Sequence, residues 1–395
     1  MTILEILLLA YLSLCLVYWL FTAYGVVMTR RRLPVLEALQ LEARENWPKL
    51  SVVVPACNEA DKMEPAVRTL LEQDYPELEI VLVDDRSTDG TAEIIDRVAM
   101  KDPRVKVIHI TELPEHWVGK VHALHRGLAE STGELVLFTD ADVHFARGTL
   151  RSAVAYFVQE GLDHLTLFPT LWPAGVVIDA MIAVFIRHFM LMSRVWGMRD
   201  GPLRSCVGIG AFNMVRRSAF EKTEGFEWMR METADDYTLA YMMKRSGAKC
   251  DVVIAFRSLG LHWYRTVKEA AVGAEKGYSS AFRCSLSLAI VASLLLFAVE
   301  LSPLVSVVVL ALGELGLASG IAAANVLLFL FSTILLSRWA RVRVVPPLLG
   351  PLAVPVLSAL ALRAGILGHR RGGVLWRGTL YPSEKLREGR RAPIP

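Results

Sequence analysis

From Ile6 to Met28 no side chain carries a charge, and Arg30, Arg31 and Arg32 follow at once. At ~1.5 Å of rise per residue a helix of that length crosses a hydrocarbon core of ~30 Å. By the positive-inside rule the arginines place residue 30 in the cytoplasm and the N-terminus outside. A cleaved signal peptide fits less well, because Glu5 makes the leading region acidic, the apolar run is long and no small-residue cleavage site precedes the arginines. Residues 1–29 are therefore expected to form a transmembrane anchor.

A second apolar region begins near Cys284. Within 284–337, residues 285–311 and 317–336 read as two spans joined by "GELGLASG" and returning to the basic segment "SRWARVR". Residues 338–368 include "VVPPLLGPLAVPVLSALALRAGIL", long enough to span but holding Pro346, Pro347, Pro351 and Pro355. A crossing there would leave every arginine of the tail outside, so an interfacial or re-entrant segment is expected, with 369–395 as a cytoplasmic tail. The whole reads as a multi-pass protein of the cytoplasmic (inner) membrane. Of its 395 residues 53% are hydrophobic, with 43 Lys+Arg against 40 Asp+Glu. That is too apolar for an ordinary soluble protein and lacks the basic face of a nucleic-acid binder. Cys15, Cys57, Cys206, Cys250 and Cys284 show no metal-ligand spacing and no paired framework, which fits a reducing compartment and not zinc.

Residues 48–265 read as one α/β domain. "KLSVVVP", "ELEIVLVDD", "RVKVIHI" and "ELVLFTD" are short apolar strands, separated by helical stretches near 60–74, 90–101, 119–130 and 147–160. Such alternation predicts a mostly parallel, Rossmann-like sheet with right-handed crossovers. Ligands of such sheets lie beyond the carboxyl ends of the strands. Here those ends carry Ala56, Asn58 and Glu59, then Asp84 and Asp85, then Asp140 and Asp142. Buried like charges repel unless a cation or donors compensate them. The i, i+2 spacing of Asp140 and Asp142 lets both reach one hard divalent cation of the kind that holds a nucleoside diphosphate; an Asp-rich turn is the structural alternative. A dinucleotide fold would need glycines after the first strand, where "PACNEAD" has none.

"SVVVPACNEAD", "EIVLVDDRSTDGTAEII", "GKVHALHRGLAESTGELVLFTDADV" and "TADDYTLAYMMKRSGAK" resemble, in order and spacing, the motifs of family-2 inverting glycosyltransferases of GT-A fold. With apolar segments at both ends, the chain is most similar to the membrane-bound branch that includes ceramide glucosyltransferases and hopanoid- and carotenoid-associated glycosyltransferases. The resemblance covers residues 50 to about 280, and "GGVLWRGTLY" in the tail is similar to a C-terminal Trp-Arg-Gly element of that branch. It implies a cytoplasmic GT-A domain with flanking transmembrane helices that moves a sugar from a nucleotide-sugar, of UDP type, to a lipid acceptor hydroxyl with inversion. It implies that Ala56, Asn58 and Glu59 line the nucleotide pocket, that Asp84 or Asp85 contacts the uracil or ribose, and that Lys120 approaches the diphosphate. Asp140 and Asp142 would hold Mg²⁺ or Mn²⁺, with Asp140 also beside the donor.

Inverting transfer needs a base for the acceptor hydroxyl. "ETADDYTLA" offers Glu232, Asp235 and Asp236; the family pattern there is Glu-Asp with the second residue as base, which selects Asp236, while Asp235 stands beside it or caps the following helix. The branch's Gln-x-x-Arg-Trp element is absent. Residues 266–283 take its place as an amphipathic interfacial helix, whose Lys268 and Lys276, with Arg265 ahead of them, reach lipid headgroups or phosphate. His144 and His262 are expected to be hydrogen-bonding residues, and "AGVVIDAMIAVFI", 174–186, is too short to span and reads as a core or interfacial helix. Polyprenyl-phosphate glycosylation and polysaccharide synthesis are the nearest alternatives. A nucleotidyltransferase-like enzyme or a non-catalytic scaffold is a more distant one.

Overall fold

The computed structural model describes residues 2–313 and 316–393. In chain order its elements begin with α1 (Ile3–Arg32), β1 (Leu50–Ala56), α2 (Ala60–Leu71), β2 (Leu78–Asp85), α3 (Thr91–Ala99), β3 (Val105–Ile110), α4 (Gly119–Glu130) and β4 (Leu135–Phe138). They continue with β5 (His144–Phe145), α5 (Thr149–Gln159), β6 (His164–Leu171), α6 (Val176–Met192), β7 (Asn213–Arg216), α7 (Arg217–Phe220), α8 (Gly225–Trp228), α9 (Asp235–Arg245) and β8 (Cys250–Leu261). The C-terminal part holds α10 (Val267–Ser280), α11 (Leu286–Ala311), α12 (Leu317–Trp339), α13 (Val345–Leu348), α14 (Gly350–Arg371), β9 (Gly373–Trp376), β10 (Thr379–Pro382) and α15 (Ser383–Glu388). These elements fall into two compact units.

The first unit holds Leu33–Trp172, Gly197–Trp263 and the chain from Gly373 on. Its eight-stranded sheet has the order β3-β2-β1-β4-β7-β6-β8-β5. β1 runs parallel to β2 and β4, and β2 parallel to β3, whereas β7 is antiparallel to β4 and β6. This is the expected Rossmann-like, mostly parallel sheet. Every residue of β1 is buried, as in a strand covered on both faces. Gly127 lets α4 seat on it, since an added Cβ would stand 2.3 Å from Val53 Cγ1. The short strands β5 and β7 and the long β6 and β8 were not legible as a set, because their polar residues, such as Asn213 and Asp251, interrupt the apolar runs.

The second unit contains α1, α6 and α10 to α14. α1, α11, α12, α14 and the stretch Val176–Gly197 are each long and apolar enough to cross a membrane. The reading of 174–186 as a short helix is thereby corrected: α6 runs on through Arg187 and His188 because both find partners. Arg187 pairs with the fully buried Glu300 of α11. His188 Nε2 lies 3.1 Å from Tyr18 Oη of α1, and that hydroxyl donates to Glu300 Oε1 at 2.8 Å. Buried ionisable side chains are costly unless paired in this way. α10 begins at a Thr266 cap and ties to α14 through Glu275, which pairs with Arg363 at 2.9 Å and Arg371 at 2.6 Å.

Candidate active site

Strand order reverses at β1, with β2 and β3 on one side and β4 on the other. The crevice of such a sheet lies outside the carboxyl ends at that switch point. On the β1 side, Ala56 is buried in register with Asp84. Asn58 adopts a left-handed backbone (φ 55) and uses its Oδ1 to accept from Thr88 N at 2.8 Å, while Ser87 Oγ accepts from Asn58 N at 3.0 Å. Glu59 N and Ala60 N donate to Thr91 Oγ1 and Asp89 Oδ2. "STDGT" after β2 therefore clamps "CNEA" after β1. The adjacent aspartates divide their work: Asp84 accepts from Ser87 N and faces His109, and Asp85 receives the Arg86 guanidinium on both oxygens at 2.8 and 3.1 Å.

On the β4 side one cation joins two motifs. Lys120 Nζ lies 2.6 Å from Asp140 Oδ1 and 2.9 Å from Asp235 Oδ2. Burial would pull the Lys120 ammonium down, yet Asp140, Asp235 and Asp236 together hold it well above the ordinary lysine range. Asp236 accepts from Gly210 N at 2.9 Å and from Tyr237 N at 2.8 Å, so both its oxygens are held by backbone donors. Lys120, Asp140, Asp235 and Asp236 line a single small cavity. The helix-capping alternative for Asp235 gives way to this pairing: α9 starts at Asp235 after Ala234, with no side-chain cap.

"GIGAFN" (208–213) threads between these carboxylates, and sequence reasoning missed it. Asp140 N donates to Gly210 O, while Gly210 N donates to Asp236. A Cβ on Gly210 would stand 2.5 Å from Asp140 Oδ2, and one on Gly208 would stand 1.9 Å from Asp236 O. Two glycines in the approach to an antiparallel strand were the available signal.

Asp142 is pushed up to about 6 by burial, then by the carboxylates of Asp140 and Glu59. Crowding of that sort is what a divalent cation relieves, so the donor set fits one. Among the described residues no group of three or more His, Cys, Asp or Glu side chains is arranged to hold a metal ion by itself. A cation on Asp140 and Asp142 would thus complete its shell with phosphate oxygens and water, the usual habit of Mg²⁺.

Residues 51–223 match the family model "Glycosyl transferase family 2". That segment is a family-2 glycosyltransferase domain. YdaM of Bacillus subtilis, described as a probable glycosyltransferase, is 32% identical over 216 residues, which are 52% of this chain and 49% of YdaM. The GalNAc(5)-diNAcBac-PP-undecaprenol beta-1,3-glucosyltransferase of Campylobacter jejuni is 32% identical over 118 residues, 30% of this chain and 37% of that protein. The chain thus spans about half the length, or less, of these curated relatives. Among solved structures, the mannosyltransferase PcManGT of Pyrobaculum calidifontis, in complex with GDP-Man and Mn²⁺, aligns over 92% of this chain and 99% of its own at 19% identity and a TM-score of 0.49.

Other residues of the glycosyltransferase domain take structural places. Glu232 is buried and its Oε1 accepts from Arg391 N and, at 2.9 Å, from Ala392 N, so it anchors the tail. His144 and His262 both pack on Trp172, with ring centroids 4.8 and 5.3 Å away. The tail itself folds against the domain through its β9–β10 hairpin, an arrangement that nothing in its polar composition announced.

Proposed function

We propose that this protein is a membrane-bound glycosyltransferase that transfers a hexose from a nucleoside-diphosphate donor, of UDP type, to a lipid hydroxyl with inversion. The observation that carries the reading is the single ammonium of Lys120 shared by Asp140 and Asp235, with Asp236 on the same cavity. Donor-side and acceptor-side carboxylates are thereby set within one reaction volume. Asn58, Glu59, Asp85 and Ala56 form the wall against which the nucleotide lies, with Asp84 bracing it from below. Asp140 and Asp142 hold Mg²⁺ or Mn²⁺, which when bound supplies charge neutralisation for the departing diphosphate. Lys120 adds a point charge beside it. Asp236 takes the proton of the acceptor hydroxyl as the new bond forms at the anomeric carbon, on the face opposite the breaking bond to phosphate. The Gly210 and Tyr237 amides hold its carboxylate in place for that step.

Charge and connectivity favour a cytoplasmic domain in the inner membrane. The tail hairpin bonds to the domain at Arg86 and Gly119, so both lie on one side and an even number of crossings separates Trp263 from Gly373. α11 and α12 supply two crossings, and α14, with Pro351 and Pro355 in its first half, remains re-entrant or interfacial. α6 leaves from β6 and returns to β7 of the same sheet, so it too does not cross. α10 lies at the interface. A lipid acceptor agrees with the PP-undecaprenol in the name of the C. jejuni relative. Mass spectrometry of lipids from cells with and without the protein, fed labelled sugar, tests the reading. A new glycolipid dependent on Asp236 supports it; unchanged lipids with a labelled polymer would make it a polysaccharide synthase.

A further inference from the structure

The C-terminal hairpin ends in a two-residue loop, Arg377-Gly378, whose φ values are 48 and 78. Two successive left-handed residues make the turn that matches strand twist, and such turns take Asn-Gly or Asp-Gly. A long β-carbon-bearing side chain at the first position is disfavoured there, so arginine is not chosen for the turn. Its guanidinium instead reaches the first strand end: Nη1 donates to Asn58 O at 3.2 Å and Nη2 pairs with Glu59. The rest of the tail lies along the same carboxyl edge of the sheet. Thr379 Oγ1 accepts from Arg86 Nη1 at 3.3 Å, Tyr381 Oη accepts from Gly119 N at 3.1 Å, and Glu232 receives the amides of Arg391 and Ala392.

The cations at this edge differ in how far they are committed. Lys120 is shared by two carboxylates, and Arg86 is spent on both oxygens of Asp85. Arg377 has one carboxylate, and its side chain remains 39% exposed. Glu59 in turn stands close enough to Asp140 and Asp142 for their charges to be felt. We infer that Arg377 is a donor-binding residue, delivered by the C-terminal hairpin, whose guanidinium engages the anionic diphosphate of the bound nucleotide from the β1 side while Glu59 holds it ready in the free protein. The planar fork of arginine suits two phosphate oxygens at once. This inference rests on the donor-site reading above.

The test uses the full-length protein and titrates UDP and GDP with Mn²⁺ by calorimetry. Arg377→Asn is the decisive variant, because asparagine suits the left-handed turn; should it melt below the wild type, Arg377→Gly, equally at ease there, replaces it. The expected result is an unchanged or raised melting temperature with nucleotide affinity at least about 10-fold weaker, and an intermediate loss for Arg377→Lys. Gly378→Ala, which strains the turn but keeps the guanidinium, should bind far better than Arg377→Asn. Affinity within about two-fold of wild type in Arg377→Asn would make the hairpin purely structural and overturn the inference; tighter binding would make it an inhibitory strap and do the same, as would equal losses in Gly378→Ala and Arg377→Asn. A wild type that binds neither nucleotide sinks the donor-site reading as well, whereas a binding wild type beside an unaffected variant sinks only the role of Arg377.

Discussion

Lys120 Nζ lies 2.6 Å from Asp140 Oδ1, so a cation in the first turn of α4 neutralises a carboxylate just beyond the end of β4. The same ammonium serves Asp235, whose side chain is only 5% exposed. Lys120→Met removes the cation and leaves that buried carboxylate unpaired. Leaving a buried polar group without its partner costs about 1–3 kcal/mol. A lower melting temperature together with at least about 10-fold weaker UDP binding is expected; an unchanged melting temperature would show that Asp235 does not depend on Lys120.

Two carboxylates of "ETADDY", Asp236 and Glu232, should separate cleanly. Asp236→Asn keeps size and removes basicity, and losing a general base typically costs ~10² to 10⁴ in rate. Its interaction matters in the transition state, so kcat should fall with little change in donor affinity. Glu232→Gln should leave chemistry within a few-fold of wild type, because that carboxylate holds the tail amides. If Glu232→Gln silences the enzyme while Asp236→Asn does not, the base has been assigned to the wrong residue.

Asp142→Asn should weaken UDP binding mainly when Mg²⁺ or Mn²⁺ is present, and should abolish transfer. Isothermal titration with and without metal reads this directly. Equal UDP affinity in the two conditions for the wild type would remove the cation from Asp140 and Asp142.

His164 is fully buried, with Nε2 2.6 Å from Asn213 Oδ1, and burial pulls its pKa down from the ordinary 6.5 to about 4. The unfolded chain takes up a proton near 6.5 and the folded one only near 4. The stability that comes from keeping the ring neutral is therefore complete above pH 6.5 and is lost as pH falls toward 4, by about 3 kcal/mol at ~1.4 kcal/mol per unit. Melting temperatures of the wild type and His164→Gln, compared at pH 7.5 and 4.5, should show the smaller acid-induced drop in the variant.

Topology can be read by labelling intact cells with a membrane-impermeant thiol reagent. A cysteine at Gly316 should react and one at Ser383 should not, because Ser383 follows the hairpin that bonds to the domain. Labelling at Ser383 would put the tail, and with it the domain, outside.

The architecture was written in the chain's own periodicity, and so were the residue types at the strand ends. Uncharged runs have one low-energy environment, and apolar strands alternating with helices have one common packing, so α1, α11, α12 and β1 to β4 were legible from periodicity. Asp140 and Asp142 stood out as carboxylates at a strand end, costly unless they meet a ligand or donors, whereas Lys120 and Asp236 were singled out only by the resemblance of their motifs. Tertiary structure alone decided who meets whom. Asp84 and Asp85 are adjacent in the chain, yet the strand pleat sends one toward His109 and the other to Arg86. Glu232 reads as a third candidate base, but the fold closes the tail over it. Gly208 and Gly210 matter because an added Cβ would stand 1.9 and 2.5 Å from Asp236 and Asp140, residues far along the chain. Arg377 lies 318 residues from Glu59 and reaches it by a hairpin tip. Local pattern reports what a segment must bury; it carries no record of which distant segment arrives to share the burial, because that partner is chosen by the summed packing of the whole domain.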